Sequence, residues 1–252
     1  MTSELLLLVL LAPAQASDVP AARPVEVREE RTRTLEKTVF AGTNALTVKA
    51  VLQGPAVKQA AKFGNIKVSE ARDDTDADLI VKGDSFNATN QPELKPISDF
   101  NRKDDQLTFD LRLQPPARAA KSVTVKGTVD LIVGGTRVNA DFPKVKALAN
   151  TELNHAELAA LGVKLKLAKI EKSINYTMEG NEAVIEEIVL LDKAGKKIES
   201  QGRGSFRLGK GPKTFDISFG QPIDADATLR ITLLKGAKQV AVPFTFDKLQ
   251  LP

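Results

Sequence analysis

The sequence predicts an all-β chain built from two tandem antiparallel β-sandwich domains joined by a short helical linker, and three observations carry that expectation. Apolar and polar residues alternate along many short segments, which is the period of a half-buried strand. Gly, Pro, Asn and Asp separate those segments at turn-like spacing. A stretch in the first half of the chain recurs in the second half without a gap.

The alternation is plain from residue 46 onward. Leu46, Val48 and Ala50 alternate with Thr47 and Lys49, and Ile66 and Val68 with Lys67 and Ser69. Leu107, Phe109, Leu111 and Leu113 alternate with Thr108, Asp110 and Arg112. Residues 123–133 give another strand, and Gly134-Gly135 then reads as a hairpin turn with its return strand at 138–142. The second half repeats the habit at 163–167, 174–178, 183–191, 205–208, 214–219, 228–234 and 239–246. One helix interrupts it. Asn154 is placed to cap it, Glu157 follows three residues later, and Gly162 ends it.

The repeat aligns Thr108-Phe109-Asp110-Leu111 with Thr214-Phe215-Asp216-Ile217, and continues through Pro116 with Pro222 and Val125 with Ile231. Five of the eighteen aligned pairs are identical and five more are conservative swaps, so matched segments should occupy matched strands. In size, strand number and turn spacing the chain resembles tandem immunoglobulin-like or fibronectin type III-like sandwiches. The immunoglobulin Cys–Trp–Cys signature has no counterpart, since Cys and Trp are absent.

Residues 5–11 are an unbroken apolar run, followed by Ala14-Gln15-Ala16. That is the layout of a signal peptide, with cleavage expected after Ala16 and an extracytoplasmic location, secreted or periplasmic. The run is too short to span a bilayer, and no transmembrane anchor is expected. The domain plan is therefore a signal peptide at 1–16, an extended linker at 17–33 ending in an edge strand, and a first sandwich at 34–146. A linker with the short helix follows at 147–162, then a second sandwich at 163–252.

Composition narrows the function. With no Cys there is no thiolate metal site or cysteine nucleophile. The net charge of +4 is spread through mixed-sign sequence, unlike the basic stripe with aromatics of a nucleic-acid binder. His155 is the only histidine; it falls in the helix and is expected to be exposed and inert. Gly202-Arg203-Gly204 and Gly209-Lys210-Gly211 precede no helix pattern and read as turns between strands rather than phosphate loops. Asn87 and Asn175 head glycosylation-type triplets, the second inside an expected strand.

Two candidate sites remain. Asp73, Asp74, Asp76 and Asp78 form an acidic turn that could hold calcium, the only cofactor the sequence admits, although the Gly and terminal Glu of an EF-hand loop are missing. Residues 83–106 form the longest stretch without strand alternation. Long connections of this kind are uncommon unless functional or disordered, and Phe86, Leu94, Ile97 and Phe100 give this one apolar anchors for a partner. The expected function is that of a non-catalytic binding or structural module acting on an unknown protein or cell-envelope component. The alternatives are a secreted hydrolase using paired carboxylates and a calcium-rigidified adhesive repeat.

Overall fold

Alternating sequences become strands here because each strand can bury one face while its backbone pairs with neighbours. The computed structural model describes residues 20–31, 44–82, 89–97, 101–206 and 212–252. The signal-peptide segment, Asn87, Gly209-Lys210-Gly211, Phe86 and Phe100 lie outside the described residues. Among those described, the first eight strands are β1 (Ala21–Glu30), β2 (Ala45–Gln53), β3 (Ala60–Asp73), β4 (Gln91–Pro96), β5 (Arg102–Lys103), β6 (Gln106–Leu113), β7 (Ser122–Val133) and β8 (Thr136–Phe142). The next eight are β9 (Val163–Ile170), β10 (Ser173–Gly180), β11 (Ile185–Leu191), β12 (Lys197–Ile198), β13 (Ser200–Phe206), β14 (Lys213–Phe219), β15 (Thr228–Lys235) and β16 (Lys238–Gln250). Two short helices, α1 (Pro55–Lys58) and α2 (Ala156–Ala160), and two 3-10 turns complete the described structure.

The strands form four antiparallel four-stranded sheets. Two sheets, β1-β2-β6-β5 and β16-β7-β3-β4, enclose one core that includes Leu46, Leu111, Val125, Val129 and Phe244. The other two, β9-β10-β14-β13 and β8-β15-β11-β12, enclose a second core that includes Leu165, Ile174, Ile217, Ile231 and Leu233. Read in the same direction, the orders match strand for strand, with β9 in the place of β1 and so on to β15 in the place of β7. The repeated segments fall on β6 and β7 in one unit and on β14 and β15 in the other, at equivalent positions.

The eighth strands do not stay at home. β8 pairs with β15 of the second unit, and β16 pairs with β7 of the first. The expected hairpin at Gly134-Gly135 is therefore corrected: the chain crosses there from one unit to the other. The expected domain plan places β8 in the first sandwich and β16 in the second, whereas the sheets hold them the other way round. The crossovers need glycine. Gly134, Gly135 and Gly236 have φ of 68°, 90° and 76°, and a Cβ on Gly135 would lie 3.1 Å from the backbone nitrogen of Ala237. The outgoing and returning connections thus touch. The swap leaves no edge open, since each seventh strand needs a partner there and the eighth strand of the other repeat supplies it.

Other expectations are adjusted locally. Residues 21–30, read as linker ending in an edge strand, form the ten-residue strand β1 on β2. The 147–162 segment packs on the second core through Leu148, Leu153, Leu158 and Leu161. Its helix is capped by His155, not Asn154: the Glu157 N–H donates to His155 Nδ1 at 3.2 Å. The imidazole is half-buried rather than exposed, edge-on to Phe142 at 5.7 Å between centroids. Gly202-Arg203-Gly204 lies inside β13 rather than in a turn.

Candidate functional site: a cleft between the two units

The largest change from expectation concerns the 83–106 stretch. Residues 91–96 are strand β4 on the edge of β3, and residues 102–103 pair with β6. The stretch is thus not one long loop. Leu94 is half-buried on β4, and Ile97 packs against the first core.

β4 instead forms one wall of a cleft of about 570 Å³. Lys62 on β3, with Glu93, Leu94 and Pro96 on β4, faces Tyr176, Met178, Glu182, Arg203, Lys213 and Phe215 of the second unit. Local packing explains how Lys62 gets there. The neighbouring Phe63 joins the first core, so the opposite-pointing Lys62 emerges on the outer face of its sheet. There the second unit covers it, leaving it 5% exposed. Its ammonium donates to the Glu182 carbonyl at 3.1 Å. Burial lowers the Lys62 pKa, Glu182 and Glu186 oppose that, and Lys213 adds to it.

The floor is the inner face of β10 and β14 beyond the cover of the opposing sheet. Tyr176 and Phe215 stack in parallel, 5.0 Å apart and 6° between planes. Lys213 lies over the Phe215 ring at 4.8 Å and reaches Glu182 at 3.2 Å and Glu93 at 3.6 Å. One ammonium therefore ties a carboxylate from each unit to an aromatic surface. Burial raises the Tyr176 phenol above its ordinary pKa, so it stays protonated. Arg203 closes the far side, donating to the Ile188 carbonyl at 3.0 Å. These groups offer hydrogen-bond donors, aromatic area and charge at the surface of a mostly formed cavity, the makeup of a binding site.

The acidic turn is organised differently. Asp73 is buried; its Oδ1 accepts from the Thr75 N–H, the Thr75 hydroxyl and the Ala77 N–H at 2.9, 2.7 and 3.0 Å, and its Oδ2 from the Ala117 N–H at 2.8 Å. Burial pushes its carboxyl pKa up, but these hydrogen bonds outweigh it and hold the value below the ordinary one. Asp74 accepts from the Lys121 N–H at 3.0 Å, Asp76 pairs with Arg72 at 2.7 Å, and Asp78 accepts from the Ile80 N–H at 3.1 Å. Among the described residues no three carboxylate or histidine groups converge as a metal site. Asn175 sits within β10, as its alternation implies.

Nothing in the sequence pattern marked Lys62 or Lys213, and Arg203 stood out only as the centre of a glycine pair read as a turn. Each is an ordinary cation on a strand, and its role comes from the facing unit. The one available signal was the lone tyrosine, one residue of an apolar series that ends on Met178. Among the described residues no helix is long and apolar enough to cross a membrane. No family model, curated protein or solved structure matches the chain.

Proposed function

We propose that this chain is a non-catalytic binding module, secreted or periplasmic, and that its partner enters the cleft between the two units. The observation that carries this reading is Lys213, which joins Glu93 of one unit and Glu182 of the other above an accessible aromatic face. A site spanning both units senses their relative placement, so a bound partner and the packing of the units stabilise each other. The leader-like residues 5–16 support export. Within this reading each sheet pair is an immunoglobulin-like or fibronectin type III-like sandwich with exchanged eighth strands, and the 147–162 segment is the helical connector. The support is four-plus-four antiparallel strands around a single core in each unit.

The test is retention of native envelope components on the immobilised mature protein. Leu94→Asp, a half-buried edge-strand position in the cleft wall, should leave the far-UV spectrum intact and reduce retention at least about tenfold. Equal retention by the variant and the natural chain removes the cleft from the proposal. Turnover in a screen of ester, glycoside and peptide substrates, lost in Glu182→Gln, would replace binding by the hydrolase reading.

A further inference from the structure

β13 is the edge of its sheet, and its one sheet neighbour among the described residues is β14. Edge strands in soluble proteins are usually guarded by Pro, by lysine, by bulges or by a covering segment. Residues 203–206 carry no Pro, lysine or bulge, and no covering segment among the described residues: the register shift in β13 falls earlier, between Ser200 and Gly202, and Arg203, Gly204, Ser205 and Phe206 are all exposed. Their one charge, Arg203, turns its guanidinium to the Ile188 carbonyl. Among the described residues, no backbone hydrogen bond from residues 203–206 leaves the sheet.

The side chains on this edge form a self-complementary pattern. Gly202, Gly204 and Phe206 share one face of the strand, being two apart. Phe206 is 51% exposed, one of two large apolar side chains so exposed among the described residues. A Cβ on Gly204 would meet nothing within 4 Å. If a second strand of the same sequence runs antiparallel with Gly204 opposite Gly204, Phe206 of each copy falls opposite Gly202 of the other. Arg203 then falls opposite Ser205. The ring lies over a residue without a side chain, and an aromatic residue opposite an edge glycine is a favourable pair. No like charges meet at the centre of this register.

We infer that β13 is a self-association edge, through which two copies of this chain join antiparallel about a two-fold axis at Gly204. The occupant is a second copy because the large and empty positions on the strand are mirror-placed about one residue, as a two-fold contact requires. The union extends the β9-β10-β14-β13 sheet across both molecules. A contact of a few strand residues buries far less than the roughly 1,600 Å² of a standard stable interface, so the dimer is weak. The inference does not rest on what the cleft binds, although Arg203, Gly204 and Ser205 also line the cleft.

Sedimentation equilibrium of the full mature chain tests it. The natural protein should shift from monomer to dimer between about 10 µM and about 1 mM. Gly204→Lys, which has open space in the monomer, places two lysines opposite each other and should weaken association at least about tenfold. Gly204→Asp should do the same, and an equimolar mixture of the two variants should recover a heterodimer at least as tight as the natural dimer. Phe206→Ser, at an exposed position, should weaken association without changing the far-UV spectrum. A protein that stays monomeric up to about 1 mM overturns the proposal. So does a dimer that survives both Gly204→Lys and Phe206→Ser, or a mixture that shows no recovery.

Discussion

Phe109 and Phe215 occupy the same position in the two repeats, yet one is core and the other lines a cleft. Phe109 is 5% exposed and lies against Phe244 of β16, 6.0 Å between ring centroids. The residue matching Phe244 on β8 is Val138, too small to cover Phe215 in the same way. The strand opposite changes in compensation. Phe244 pairs with Gly127, where a Cβ would lie 2.6 Å from the Phe244 ring, whereas Val138 pairs with Leu233. Large against absent in one unit becomes medium against medium in the other. The two units fill these matched positions differently, and the ring at the mouth of the second unit stacks on Tyr176 and carries Lys213. Duplicated topology thus holds while the two copies treat the same phenylalanine differently.

The sharpest way to break the comparison is to remove an exchanged strand. Deleting residues 238–252 takes Val242, Phe244 and Phe246 out of the first core and leaves the edge of β7 unpaired. The first unit should fail to fold, read as loss of hydrogen-exchange protection in β2, β3, β6 and β7. Next in size is Gly127→Leu, which imports the residue of the second repeat. Its Cβ would lie 2.3 Å from the Lys67 carbonyl oxygen, and a cost of more than about 3 kcal/mol is expected in denaturant unfolding. Adding Phe244→Val, to rebuild the Leu–Val pair of the second unit, should recover only part of it, because the Lys67 carbonyl remains. Full recovery would show that the two cores are interchangeable.

The two phenylalanines should differ directly. Phe109→Ala should cost about 3–5 kcal/mol, as for a buried ring, and Phe215→Ala about 1 kcal/mol, since that ring is partly exposed already. Equal costs in urea titrations would mean that the cleft floor is as tightly packed as the core.

Lys62 sets a smaller effect with a definite sign. Its pKa in the folded chain lies below 10.5, so between the two values the unfolded chain binds more protons. Stability should therefore rise as pH climbs through that window. Lys62→Met should abolish the rise and change stability at neutral pH by no more than about 1 kcal/mol, because a buried charge is replaced by an apolar chain of similar length. Asp73 has the opposite dependence: its lowered pKa stabilises the fold above the ordinary value of 3.8 and that contribution is lost as pH falls through the folded value. Asp73→Asn should flatten the acid limb of the same titration. Smallest of all is the response to calcium. With the carboxylates of the acidic turn bonded to backbone N–H groups of the turn and of residues 117–121, and to Arg72, millimolar calcium should move the melting temperature by less than about 1 °C; a rise of several degrees would restore the calcium reading.

Strands with one buried face were legible because alternation is a local property: Leu107, Phe109, Leu111 and Leu113 can all face one core only in extended chain. The repeat was legible for the same reason, since matched alternation and a matched Pro place matched strands. β4 was hidden because its sequence, Gln-Pro-Glu-Leu-Lys-Pro, has the prolines of an edge and little alternation, and the neighbouring β3 makes it a strand.

The pattern of residues by itself determined the all-β class, most of the strands and their duplication, because burying one face of an extended segment is written into every second residue. Which unit each eighth strand joins, and the cleft that follows, were decided by tertiary structure alone. The choice turns on pairs far apart in the sequence, Phe244 against Gly127 and Val138 against Leu233, so local pattern is silent on it. Lys62 shows the same division: on the strand it is one more cation facing outward, and the facing unit alone makes it buried.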